Sequence, residues 1–198
     1  VENENVLKVE GLNKMEVNNL LKVNAENLEI QDSKIEIEGE PQWKLVELED
    51  FNTKIEGWSK ENTNSCGTSP QKFLGGPCAF SKDEVEKMFG DLPEHNMIKI
   101  TGNFHFFDNW EGESGYMKFN DQKVWKDSYN WCDKPIKTRC KALGINVCGS
   151  EIPDRIGVPF DFSTAHSEDS FKLTFGSTLK KEPCEASWGI DNIAVYVK

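Results

Sequence analysis

The chain has 198 residues, enough for one sizeable core with a small appendage. A formal net charge of −11 and a sequence pI near 4.8 exclude a nucleic-acid partner, whose phosphates would repel it. No run of about 18 apolar residues occurs, so no membrane span is expected. Val1 is expected to be a terminus from which any targeting segment has been removed or omitted.

Residues 1–40 contain no Cys, Trp or Phe and repeat an apolar–charged–apolar unit: Leu7-Lys8-Val9, Met15-Glu16-Val17, Leu21-Lys22-Val23, Leu28-Glu29-Ile30 and Ile35-Glu36-Ile37. The spacing is near seven, but in-register coiled-coil positions fall on Asn24 and Gln31, or on Asn27 and Lys34. Apolar pairs at i and i+2 instead fit very short β-rungs between turns. Such rungs cannot bury a face alone, so they are expected to stack or to associate between chains. A trimeric parallel stem is preferred for this stem or oligomerisation segment. A monomeric extension of rungs and an acidic linker stand as alternatives.

Glu40-Pro41-Gln42 marks the expected boundary, and 41–198 is read as one disulfide-stapled domain. Trp43, Leu45, Val46 and Leu48 open it, and residues 60–81, rich in Gly, Pro, Asn, Ser and Thr, are expected to form a long ordered loop. Ser81-Lys82-Asp83-Glu84 has the form of a helix capping box, so residues 81–89 are either one or two helical turns or an irregular strand. Ile98, Ile100, Phe104 and Phe106 alternate with Lys99, Thr101, Asn103 and His105, the period of a half-buried strand. An acidic loop follows, Asp108-Asn109-Trp110-Glu111-Gly112-Glu113, then a strand through Met117 and Phe119. The Asn120-Asp121 pair suits a hairpin turn before Val124-Trp125. Residues 129–151 carry Cys132, Cys140 and Cys148 among few large apolar side chains, so this insertion is stapled rather than cored. Alternation resumes at Val158–Phe162, at Phe171, Leu173 and Phe175, and at Trp188–Val197. Short strands broken by turn clusters predict an all-β protein, a β-sandwich in preference to a closed barrel.

The six cysteines (66, 78, 132, 140, 148 and 184) allow about 15 pairings. With no CxxC and three histidines, disulfides are favoured over zinc, and with them an extracellular or cell-surface (secreted) location.

Three carboxylates within the acidic loop, Asp108, Glu111 and Glu113, are hard oxygen donors for Ca²⁺, a structural ion here. Its shell of about six to eight oxygens would need Asp50, Asp191 or Asp127 as well. Trp110, flanked by Asn109 and Glu111, is the aromatic best placed to meet a ligand; Trp58, Trp125 and Trp188 are expected in the core. His105, on the polar face of its strand, is expected at the surface, and no nucleophile elbow, HExxH or P-loop occurs.

A set of motifs carries a resemblance: Gly57-Trp58-Ser59, Ser65-Cys66-Gly67, Leu74-Gly75-Gly76, Leu92-Pro93-Glu94-His95, Phe107–Glu113, Cys148-Gly149, His166-Ser167 and Ser187-Trp188-Gly189-Ile190. Together they resemble a disulfide-containing module of extracellular protist proteins, mainly of ciliates, over about residues 43–198. Glu49-Asp50-Phe51 and Asp191-Asn192-Ile193 also look like the ends of galactose-binding-like jelly rolls and carbohydrate-binding modules. In those modules an early acid and a late Asp often share Ca²⁺. The resemblance implies a jelly-roll sandwich with a binding role. Its two retained Cys-Gly positions match Cys66 and Cys148, which implies Cys66–Cys148, with Cys132–Cys140 closing the insertion and Cys78–Cys184 joining two Pro-Cys corners.

The function expected is therefore a non-enzymatic module for recognition or adhesion, with a glycan or an extracellular protein as partner. A structural component of an extracellular coat or appendage is the alternative, and a glycan-active hydrolase a weaker one.

Overall fold

A computed structural model describes residues 36–37, 40–53 and 55–198. The rungs and trimer expected at residues 1–40 lie almost wholly outside these residues. Of the last rung, β1 (Glu36–Ile37) pairs antiparallel with β2 (Glu40–Pro41), which lies at the expected boundary.

The rest is an all-β sandwich of two antiparallel sheets. The larger contains β3 (Lys44–Glu49), β4 (Thr63–Ser65), β5 (Lys72–Phe80), β7 (Met97–Asp108), β10 (Arg155–Ala165) and β12 (Ala186–Val197), in the order β10-β7-β12-β5-β4. β12 is its spine. One edge pairs with β7 along nearly its whole length, and the other is shared by β5 at residues 188–190 and β3 at 193–197. The smaller sheet is β6-β11-β8-β9, made of β6 (Glu84–Phe89), β11 (Phe171–Ser177), β8 (Glu111–Phe119) and β9 (Gln122–Asn130).

The ambiguous residues 84–89 form a strand: Val85 and Phe89 are buried and pair with Phe175 and Phe171. The loop expected over residues 60–81 is corrected, because β4 and β5 lie within it. Leu74 is fully buried, and β5 bulges between Gly75 and Phe80 where it meets β12, so its Gly-Gly-Pro run breaks alternation without breaking the sheet. Asn120 and Asp121 both take left-handed φ, 46° and 67°, in the two-residue β8–β9 turn.

The inner faces are aromatic. Phe104 stacks on Trp188 at 5.4 Å and meets Trp125 of the other sheet at 5.5 Å; Phe160 meets Phe175 at 5.4 Å. Each such side chain taken from water stabilises the fold by about 1.5–3 kcal/mol. At Gly102 a Cβ would come within 2.5 Å of the Phe160 ring and 2.8 Å of Ile193, so only glycine lets these two core residues close beneath β7.

Between β9 and β10 runs the insertion, residues 131–154, with one short helix α1 (Lys137–Leu143) that buries none of its residues. The cysteines pair as Cys66–Cys148, Cys78–Cys184 and Cys132–Cys140, the connectivity implied by the resemblance.

Candidate functional site

The acidic loop is not a loop of six residues. β7 ends at Asp108 and β8 begins at Glu111, leaving only Asn109 and Trp110 between them. Trp110 is corrected from exposed platform to core. It is fully buried, packs edge-on against Phe106 at 4.8 Å, and its indole N–H donates to the Ser187 carbonyl at 3.0 Å. A connection this short turns the large ring inward. Asn109 accepts the Trp131 indole N–H at 2.8 Å, and its carbonyl accepts Lys181 Nζ. Glu111 Oε2 lies 3.0 Å and Glu113 Oε1 3.6 Å from the same Lys181. The hydrogen bond from Lys181 holds the Glu111 carboxyl below its ordinary value of 4.5. These acids tie the β7–β8 connection to the β11–β12 connection, which Cys78–Cys184 also secures.

Asp108 takes a different role. It is 1% exposed, its N–H donates to Asp154 Oδ1 at 2.9 Å, and its Oδ1 accepts Ser150 N–H at 2.6 Å and Ser150 Oγ–H at 2.5 Å. Asp154 Oδ2 accepts the N–H groups of Val147 and Cys148. Burial raises the Asp154 pKa, while these backbone donors offset part of that. A Cβ at Gly149, whose φ is 83°, would overlap Asp108 Oδ2, so the glycine lets the insertion close over the carboxylate. The two aspartates latch the insertion to the sandwich.

The five expected calcium ligands therefore do not gather. Asp108 faces the insertion, Glu111 and Glu113 hold Lys181, and Asp50 Oδ1 accepts the Asn52 N–H at 3.0 Å in the turn after β3. Asp191 Oδ1 accepts from Asn103 Nδ2 at 2.9 Å. Among the described residues no three His, Cys, Asp or Glu side chains form a group able to hold a metal, so these donors do not fit a Ca²⁺ shell. Asp127 is paired with Arg155 at 2.8 Å. The expectation of a surface His105 is also corrected. It is 4% exposed, accepts the Gly157 N–H at Nδ1, and lies against Phe73 at 4.5 Å. Its Nε2 is 3.2 Å from Asp191 Oδ1 but out of line for a hydrogen bond. Phe73 and Phe107 dry this end of the outer sheet face.

Further along the same face the surface is open. Register sets Asp161, Thr101, Ala194 and Leu48 in one row across β10, β7, β12 and β3, with Ser163, Lys99, Tyr196 and Leu45 in the next. A shallow cleft of about 320 Å³ is lined by Thr101, Asn103, Pro159, Asp161 and Asn192, with Gly102 and Phe160. Lys99 Nζ sits 5.0 Å from the Trp43 ring and 4.9 Å from the Tyr196 ring, both half-buried. The side chains of Asp161, Thr101 and Asn192 have no hydrogen-bond or ion-pair partner among the described residues, so three polar groups converge on the cleft unspent. Sequence reasoning missed this site because its residues are the ordinary polar half of alternating strands. Only the register brings Asp161 beside Thr101.

No protein-family model matches the chain, and no curated protein matches it. Among solved structures it is similar to dimeric latent PorU from Porphyromonas gingivalis, at 9% identity and a TM-score of 0.50, over 78% of this chain and 12% of that one. It is also similar to TmCBM27, a carbohydrate-binding module described for specific mannan recognition, at 14% identity and a TM-score of 0.41, covering 79% and 99% of the two chains. The C-terminal CBM6 of LamC from Zobellia galactanivorans is similar at 9% identity and a TM-score of 0.40, covering 78% and 100%. The chain spans only 12% of the length of PorU, and that likeness is one of fold.

Proposed function

We propose that this chain is a non-enzymatic extracellular module of recognition or adhesion that binds a glycan at the cleft on the outer face of β10, β7 and β12. The observation that carries the reading is the convergence of unpartnered Asp161, Thr101 and Asn192 on one cleft, with the Trp43 and Tyr196 rings around Lys99, one row further along β7. Sugars present hydroxyls to such planar polar groups and C–H faces to aromatic rings. Three disulfides across the described residues support an oxidising compartment. The non-enzymatic reading is supported by Glu111 and Glu113, which share one lysine instead of facing each other across a cleft.

A glycan array followed by calorimetry on its hits tests the reading. Saturable binding is expected, weakened about tenfold or more, or about 1.4 kcal/mol, by Asp161→Ala and by Trp43→Ala with the melting midpoint unchanged. Binding that survives both substitutions, or no saturable glycan at all, would overturn it.

A further inference from the structure

The insertion carries a second surface that the glycan cleft does not use. Residues 131–154 hold Lys134, Lys137, Arg139 and Lys141 against Asp133, Glu151 and the buried Asp154, a balance of +1 in a chain of −11. The remainder of the chain is thus −12. Elsewhere several lysines are drawn onto the chain's own carboxylates, as Lys87 is to Glu47 and Glu49, Lys118 to Glu84, and Lys172 to Asp121. In the insertion Lys134 is paired with Asp133 and Lys137 with Glu111, but Arg139 and Lys141 have no ion-pair partner among the described residues.

Of these two cations Arg139 lies in the lining of a cleft beside aliphatic side chains that the fold leaves in water, while Lys141, two residues on, turns to another side of α1. Ile136 is 51% exposed, Leu143 84% and Ile145 71%. Ile136 and Leu143 line a cleft of about 460 Å³ together with Trp131, Lys134, Arg139 and Gly144. Four things hold the segment open: the Cys132–Cys140 and Cys66–Cys148 staples, and the hydrogen bonds of Asp154 and of Asp108. The branched side chains are therefore held in water by covalent and polar ties rather than by apolar packing, and such patches mark contact surfaces. A sugar would want an exposed flat ring, and Trp131, 8% exposed, does not offer one.

We propose that this face of the insertion docks an acidic, leucine-like segment of a partner protein: a carboxylate on Arg139, aliphatic side chains in the cleft between Ile136 and Leu143. Charge complementarity selects the sign of the partner, and the exposed aliphatics select protein over polysaccharide.

The test uses the full chain and a fluorescein-labelled peptide that repeats two glutamates and two leucines. Three comparison probes accompany it: the same peptide with lysine for glutamate, one with serine for leucine, and polygalacturonate. Saturable binding of the first alone is expected, falling about tenfold or more, or about 1.4 kcal/mol, in Arg139→Glu and in Leu143→Ser. Both residues are solvent-facing, so disulfide maps and melting midpoints should be unchanged. Equal binding of the serine peptide would overturn the proposal as charge attraction alone. It is equally overturned by no binding of the first peptide, by polygalacturonate binding that depends on Arg139, or by light scattering that finds a dimer which Leu143→Ser dissociates. Asp161→Ala should leave peptide binding intact, which keeps this result separate from the glycan reading.

Discussion

The sandwich and its insertion are held together by different physics. The sandwich turns Trp188, Phe104, Phe106 and Trp110 inward until they are wholly buried, and it draws Lys87, Lys118 and Lys172 onto carboxylates. The insertion buries no residue of its helix and leaves Leu143 84% exposed. It keeps its shape through two cystines and the backbone N–H groups of Val147, Cys148 and Ser150 on two aspartates. A segment built this way needs no apolar side chains to fold. Those it displays are free for contact.

The contrast can be broken most forcefully in the core. Trp188→Ala should cost about 3–5 kcal/mol of global stability by urea denaturation, since the ring contacts Phe80 and Phe104 and its indole N–H is accepted by Ser81. A loss under about 1 kcal/mol would mean that the inner face is not the chief support. A smaller effect is expected from Cys132→Ser with Cys140→Ser. If insertion and sandwich unfolded as one unit, opening this eight-residue separation would cost about 2.5 kcal/mol in the chain-entropy account. We expect under about 1 kcal/mol globally, with rapid trypsin cleavage after Arg139 and Lys141, because the segment opens locally. The full loss with slow cleavage would merge the two regions into one cooperative unit.

The smallest effect sharpens the comparison through pH, since the insertion contains no histidine. In the sandwich His95 Nδ1–H donates to Pro93 O at 2.6 Å, so its Nε2 accepts from His166 Nδ1–H at 2.8 Å. His166 Nε2 is then buried without a partner against Phe119 and Phe171, and burial lowers its pKa from 6.5. Because the folded value lies below the unfolded one, the stability it contributes is present above pH 6.5 and lost as pH falls through the folded value. The carboxylate of Glu111 acts in a lower window, its contribution being lost only below 4.5. Melting midpoints of the native chain should decline in the upper window, and His166→Phe should flatten that decline. An identical slope in both proteins would assign it elsewhere.

Much of the sandwich was legible in the sequence because burial on one sheet face writes a period of two. Ile98, Ile100, Phe104 and Phe106 announce β7, and Asn120-Asp121 announces its turn. β5 was illegible, since Gly75 and Gly76 erase the period at the bulge facing β12. The site was misread for a related reason. Carboxylates around a tryptophan look like a ligand loop, yet Trp110 has only two residues in which to turn and is carried into the core. Local sequence does not tell a carboxylate that meets solvent, such as Asp161, from one that meets a backbone amide, such as Asp108. Asp161 came into view only when β10 was set in register beside β7.

β12 gives the molecule an order of assembly. The spine of the larger sheet is the last of the described strands to be made, yet β7, β5 and β3 all pair with it. A chain leaving the ribosome at about 5–20 residues per second holds those earlier strands without their common partner for several seconds. Cys78 waits through a separation of 106 residues for Cys184, while Cys132 meets Cys140 after eight. Both cysteines of the surface loop are thus made before the last cysteine of the sheet.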